Sequence, residues 1–129
     1  MQPYPYFGPL LLFILKGADL TSTSDQQFTP IWGASRYIVS EIYAVCRSGG
    51  AATACDGGVY DAASKGGNAI IGSGQSWLGL SAANKIKQGT LASVAGTDSF
   101  DDTPYLSLTT GSSSAATADF YIFGYSLDI

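Results

Sequence analysis

The few side chains suited to acid–base or metal chemistry lie in loop-like sequence. Asp101 and Asp102 are adjacent in the segment TDSFDDTP, which also contains Asp98. Carboxylates in flexible loops are ligands that Ca²⁺ accepts, so a weak calcium site is one interpretation. The other is a solvated acidic turn, which we favour because Asp, Ser and Pro are typical turn residues.

The sequence contains few residues that could support nucleophilic catalysis. The chain contains no histidine, which removes Ser-His-Asp and Cys-His arrangements and most zinc sites. The Gly-rich segment at 72–79, GSGQSWLG, lacks the lysine of a phosphate-binding loop. Lys65, followed by Gly66-Gly67, is interpreted as a turn residue rather than a Schiff-base lysine. We therefore expect no enzymatic activity, no cofactor and no metal.

The two tryptophans and two cysteines each allow two interpretations. Trp32 and Trp77 could stack on a sugar ring, although a tryptophan at a core or interface is the commoner outcome. Cys46 and Cys55 flank RSGGAATA, which predicts a hairpin loop. A disulfide across the mouth of that hairpin and a pair of buried thiols both fit. In a reducing cytoplasm we expect folding with both thiols reduced.

The amino-acid composition limits the classes of protein to which the chain can belong. With 129 residues the chain is the size of a single domain. Charged residues make up only 12% of it, against about 25% in typical proteins. Low charge together with 8 Tyr and 6 Phe indicates that much of the surface meets other protein. A secreted domain with a Ser/Thr/Gly-rich exterior is the alternative. A net charge of −4 without a Lys/Arg cluster argues against nucleic-acid binding.

The N-terminal segment is expected to differ from the rest of the chain. Residues 1–17 are predicted to form an extended arm or the first strand, and residues 18–129 the β-sandwich domain. The apolar run from Pro9 to Leu15 is too short to span a bilayer, so we expect no membrane contact. The prolines at and before its start favour an extended arm that docks on a neighbouring subunit.

The rest of the chain predicts an all-β fold. No segment shows helical periodicity over ten or more residues. Short apolar runs separated by turn residues recur instead, which favours a jelly-roll-like β-sandwich. The predicted strands are Leu10–Leu15, residues 36–46, Val59-Tyr60, Ala69–Ile71, Ser76–Leu80, one or two strands within Lys85–Val94, Tyr105–Thr109 and Asp119–Tyr125; DAASK at 61–65 is predicted as a single turn.

Two of these strands, at 37–45 and 120–125, carry large apolar residues on both faces. In the last strand Phe120 and Ile122 point one way, and Tyr121, Phe123 and Tyr125 point the other. A strand with one face in water should alternate apolar with polar residues. We therefore expect the outer face to be covered, either by another segment of this chain or by another subunit.

The chain resembles a family of small structural proteins of tailed phages and prophages. The resemblance covers most of residues 18–127 in order, through ADLTSTSDQQF, YIVSEIYAV, GGVYDAASKGGNAI, TPYLSLTT and ATADFYIFGYSL. Its most specific piece is the pattern GG-x-Y-x-AASKGG at 57–67. The resemblance implies a non-enzymatic virion component assembled in the host cytoplasm. The expected role is capsid decoration by binding the major capsid protein or other virion proteins.

Two further functions are compatible with the sequence. One is a neck, tail or fibre-base structural protein, and the other a carbohydrate-binding receptor-recognition module. A homo-oligomer is expected, with a trimer as first choice because trimers fit the three-fold positions of an icosahedral shell. The residues expected to bind partners are Tyr4, Tyr6, Phe7, Leu10, Leu12, Trp77, Tyr121, Phe123 and Tyr125.

Overall fold

The computed structural model describes residues 8–31, 36–50, 54–92 and 99–127. Within them the chain forms strands and one 3₁₀ turn at Ala63–Lys65. The strands are β1 (Leu10–Asp19), β2 (Gln26–Gln27), β3 (Thr29–Pro30), β4 (Arg36–Gly49), β5 (Asp56–Tyr60), β6 (Ala69–Ile71), β7 (Ile86–Gln88), β8 (Phe100–Asp101), β9 (Tyr105–Thr110) and β10 (Ala116–Ser126).

These strands build two antiparallel sheets. The larger has the order β3-β1-β10-β4-β7, with β8 pairing β4, and the smaller has the order β2-β9-β5-β6. A single cluster of buried apolar side chains lies between them, with residues such as Phe13, Ile42, Trp77, Leu106 and Phe120 at 2% exposure or less. The predicted all-β, sandwich-like fold is confirmed.

The centre of the larger sheet is the long pair β4–β10. Their register puts Ile42 opposite Ile122 and Ala44 opposite Phe120, all facing the core. The intervening residues, such as Tyr43 opposite Tyr121, therefore share the outer face. The predicted division of β10 into two apolar faces is confirmed.

The Gly-rich segment forms the centre of the smaller sheet. β5 pairs with β6 through a connection that contains the 3₁₀ turn, as the sequence predicts. A methyl group on Gly57 would collide with the backbone of Leu108, and one on Gly58 with the backbone of Ile71. The paired glycines are thus required because neighbouring backbone approaches β5 on both sides.

Two predictions about local structure are wrong. Ser76–Leu80 is not a strand; it forms turns held by the hydrogen bond from Leu80 N–H to Trp77 O, 3.0 Å, with one isolated bridge at Ser76. The hairpin around the cysteines is also absent from the described sheets, because β4 and β5 belong to different sheets and do not pair. Cys46 and Cys55 are both buried free thiols.

The N-terminal run is a strand of the sheet. β1 lies between β3 and β10, and its Leu12 and Phe13 are fully buried in the core. Residues 10–17 therefore belong to the first strand, which was one of the two predicted alternatives. The other alternative, an extended arm that includes Leu10–Leu15, is wrong. Residues 1–7 lie outside the described part of the chain.

Candidate interaction surface

The outer face of the larger sheet carries an apolar patch open to solvent. We define the aromatic patch as Tyr43 and Val45 of β4, Ile86 of β7, and Tyr121 and Phe123 of β10, which line a shallow hollow of about 440 Å³. Ile86 is 64% exposed, although it is an isoleucine in a strand of the sheet, where it is the first residue of β7. An exposed cluster of this kind is typical of a surface that binds protein.

The register of three neighbouring strands builds this patch. Tyr121 is paired with Tyr43, and Val45 is paired with both Asp119 and Ile86. The rings of Tyr43 and Phe123 meet edge to face with their centroids 6.2 Å apart. This geometry is favourable between aromatic rings and holds the patch in one arrangement.

A carboxylate lies at one end of the patch. Glu41 is opposite Phe123 in the β4–β10 register, and its Oε2 accepts a 2.6 Å hydrogen bond from the Tyr43 hydroxyl. That hydrogen bond, followed by desolvation and the charge of Glu41, raises the pKa of Tyr43. The phenol is therefore kept protonated and points along the strand toward Glu41.

A guanidinium lies at the other end. Arg47 Nε donates to Asp119 Oδ2 at 2.6 Å, and Arg47 Nη2 donates to the Tyr121 hydroxyl at 3.3 Å. Asp119 is buried and also accepts a 2.8 Å hydrogen bond from Gly17 N–H. Desolvation raises the pKa of Asp119, but the hydrogen bonds from Gly17 and Arg47, with the charges of Arg47 and Lys16, lower it overall. Asp119 thus fixes Arg47 beside the patch.

The structure separates the sequence-predicted contact residues into exposed and buried groups. Tyr121 and Phe123 belong to the aromatic patch, and Tyr125, 41% exposed, lies further along β10. Leu10 is partly buried against the core. Leu12 is fully buried, so its prediction as a partner contact is wrong. Tyr4, Tyr6 and Phe7 lie outside the described residues.

Trp77 is likewise a core residue, and its prediction as a partner or sugar contact is wrong. Its side chain has no exposed area, and its Nε1–H donates to Gly57 O at 3.1 Å. The indole packs edge to face on Phe120 with the ring centroids 5.1 Å apart. No ring face is available to a sugar. Trp32 lies outside the described residues.

Sequence reasoning missed three members of the aromatic patch. Tyr43 and Val45 lie in a strand that was already seen to be apolar on both faces, so their alternation with Ile42 and Ala44 could have placed them. Ile86 carries no such signal, because it is a single isoleucine between Lys85 and Lys87 and joins the patch only through the β4–β7 register.

Lys65 and Ser107 form a pair that resembles a catalytic dyad. Lys65 Nζ donates to Ser107 Oγ at 3.0 Å. Serine–lysine pairs can support acyl transfer, but the hydroxyl must reach a substrate. Ser107 is only 1% exposed, within β9. The bond therefore anchors the 3₁₀ turn to the smaller sheet.

The acidic loop and the cysteines also have structural roles. Asp102 adopts a left-handed backbone with φ of 63°, and its carbonyl accepts a 2.9 Å hydrogen bond from the Tyr37 hydroxyl. Asp98 lies outside the described residues, and among those described no three His, Cys, Asp or Glu side chains are grouped to hold a metal ion. Burial is the main reason that the pKa of the Cys55 thiol is raised, which disfavours its reactive thiolate.

Comparison of the chain with protein-family models, with curated proteins and with solved structures gave no match. In the described part of the chain, no helix has the length and apolar character needed to cross a membrane.

Proposed function

We propose that this protein is a structural component of a tailed-phage virion without enzymatic activity. Its role is capsid decoration: it binds the outer head shell as a homo-oligomer and bridges neighbouring capsid subunits. The observation that carries the proposal is the aromatic patch, an exposed apolar surface on the outer face of β4, β7 and β10.

The energetics of such a surface suit assembly. Burying apolar surface is worth about 25 cal/mol per Å², so covering side chains such as Ile86 and Phe123 contributes modestly at each copy. On a symmetric shell the same contact recurs many times, and linked contacts reinforce one another. A patch of modest size is therefore sufficient for a protein that acts in many copies.

Two further observations support the proposal. The GG-x-Y-x-AASKGG segment, on which the resemblance to phage structural proteins is most specific, supplies close-packed residues of β5 in the smaller sheet and the turn that leads from β5 to β6. The two buried free thiols fit a chain that folds in a reducing host cytoplasm before it joins the particle.

Purified particles of the phage that encodes this chain provide the test. We expect mass spectrometry to find the chain among the virion proteins, and cryo-electron microscopy of a labelled copy to place it on the head at high copy number. A few copies at one vertex or along the tail would instead indicate the neck, tail or fibre base. Absence of the chain from purified particles would contradict the proposal.

A further inference from the structure

The outer face of β4 has opposite charges at its two ends. Four side chains at alternate positions, Glu41, Tyr43, Val45 and Arg47, follow one another on this face, and we name them the β4 stripe. Their hydrogen bonds and patch contacts place all four on the same side of the sheet. At about 3.3 Å per residue the stripe is about 20 Å long, with a carboxylate at one end, a guanidinium at the other and apolar groups between.

We propose that the occupant of this face is a second copy of the chain, stacked sheet against sheet about a two-fold axis. The axis lies in the interface, runs across the strands and passes between Tyr43 and Val45. This operation reverses the strand direction, so Glu41 of each copy meets Arg47 of the other, and the apolar centres coincide. The inference rests on the proposed function and names the partner of its surface.

The charged groups have bonding capacity left for such a partner. Arg47 uses Nε and Nη2 within the chain, but a guanidinium has five N–H donors, and this side chain is 47% exposed. Glu41 accepts the Tyr43 hydroxyl through Oε2, and a carboxylate can accept further hydrogen bonds. Asp119 and Tyr43 hold the two charges in place, which reduces the entropy lost when the copies pair.

The size of the face sets the strength of the pairing. The aromatic patch spans three strands about 4.8 Å apart, so the contact is smaller than the roughly 800 Å² per partner of a standard interface. We therefore expect a weak, concentration-dependent dimer. Such a dimer presents every other surface of the chain twice, which suits a protein that bridges two capsid subunits.

Sedimentation equilibrium of the full chain and two charge variants tests the pairing. Wild type should show reversible association to the mass of two chains. Glu41→Lys makes both ends of the stripe cationic and Arg47→Glu makes both anionic, so each alone should dimerise about tenfold more weakly. Mixed together, the two variants should form a heterodimer, because each Lys or Arg then meets a Glu. Asp101→Lys, the same charge change at an exposed position on β8, should leave dimerisation unchanged.

A second kind of variant keeps the test decisive if Arg47→Glu disturbs the fold by leaving Asp119 unpaired. Ile86→Glu changes a side chain that is 64% exposed, so the chain should fold, judged by circular dichroism, but remain monomeric. Leu78→Glu, at an exposed leucine that does not line the hollow of the aromatic patch, should dimerise like wild type. In that case Glu41→Lys and Ile86→Glu together test the two-fold pairing.

The outcomes separate this inference from the proposed function. A wild type that is monomeric, that has the mass of three chains, or whose dimer is insensitive to Glu41→Lys and Ile86→Glu overturns the two-fold pairing. If such a chain is nevertheless found in virions, the proposed function stands and the face binds another virion protein. If charge-dependent dimers form but virions lack the chain, the pairing stands and the proposed function fails.

Discussion

Trp77 is the side chain that joins the two sheets. Its indole packs on Phe120 of the larger sheet and donates to Gly57 O of the smaller one. Sequence alone could not place it, since a core or interface position is the commoner outcome for a tryptophan, but the glycines and serines of GSGQSWLG also allow an exposed ring. The buried position of Trp77 is set by the register of β5 and by the turn after β6, and both depend on contacts between residues distant in sequence.

Replacing Trp77 tests its role in the core. We expect Trp77→Ala to lower the free energy of unfolding by about 3–5 kcal/mol, because a large buried side chain is lost. Trp77→Phe should cost less, about 1–3 kcal/mol, because Gly57 O loses its donor while much of the volume is kept. Urea unfolding measures both, with Leu78→Ala as the exposed control within about 0.5 kcal/mol of wild type. A fully stable Trp77→Ala would contradict the core assignment.

Asp119 links stability to pH. Its pKa is lowered in the folded state, so its ionised form stabilises the fold above about pH 4, its ordinary range, and this contribution is lost as the pH falls through the lowered folded value. We expect Asp119→Asn to cost about 1–3 kcal/mol near neutral pH, the worth of hydrogen bonds to a charged group.

Urea unfolding across pH tests this expectation. The difference in unfolding free energy between wild type and Asp119→Asn should shrink in strong acid. Asp101→Asn, which changes an exposed carboxylate, serves as the control. A difference that is independent of pH would show that the ionised carboxylate is not what stabilises the fold.

At the scale of elements, long patterns were predictable from sequence and short ones were not. β4 and β10 carry runs of β-branched and aromatic residues that only a strand accommodates well. The hairpin predicted between Cys46 and Cys55 is wrong, because a short Gly-rich link can either close a hairpin or connect strands of two different sheets. β2, β3 and β8 have two residues each and are strands only because of their partners.

The paired glycines of β5 give a test of close packing. We expect Gly58→Ala to cost about 1–3 kcal/mol, because the methyl group meets the backbone of Ile71 and Gly72, which cannot move aside like a side chain. Gly74→Ala, where the space is open, should be neutral or slightly stabilising. Thermal unfolding of the two variants compares them directly, and equal midpoints would show that β5 has more room than the structure gives it.

Truncation distinguishes an arm from a strand. Deleting residues 1–15 removes Leu12 and Phe13 from the core and most of the β1–β10 pairing, so we expect loss of folding. Deleting residues 1–7 retains β1, and the chain should fold. Circular dichroism of the two truncated proteins decides between the alternatives. A folded chain lacking residues 1–15 would show that β1 is dispensable.

At the scale of the whole molecule, the sandwich uses its inner faces for the core and leaves one outer face apolar. Two of the five residues of the aromatic patch could be predicted, since the alternation in β10 identified Tyr121 and Phe123 as outward-facing. The contribution of Ile86 and the opposed charges of Glu41 and Arg47 could not, because they depend on which strands are neighbours. Strands with apolar residues on both faces indicate that the outer face of the sheet is covered. Only the pairing of the strands shows which residues make up that outer surface.

The most direct test of the account is the number of copies of the chain per purified phage particle, measured for wild type, Ile86→Glu and Leu78→Glu. We expect wild type and Leu78→Glu to be incorporated equally. Ile86→Glu should fold with an unchanged thermal midpoint, because its side chain lies outside the core, and yet be severalfold depleted from particles. Incorporation of Ile86→Glu at the wild-type level would contradict the claim that the aromatic patch is the surface through which this protein assembles.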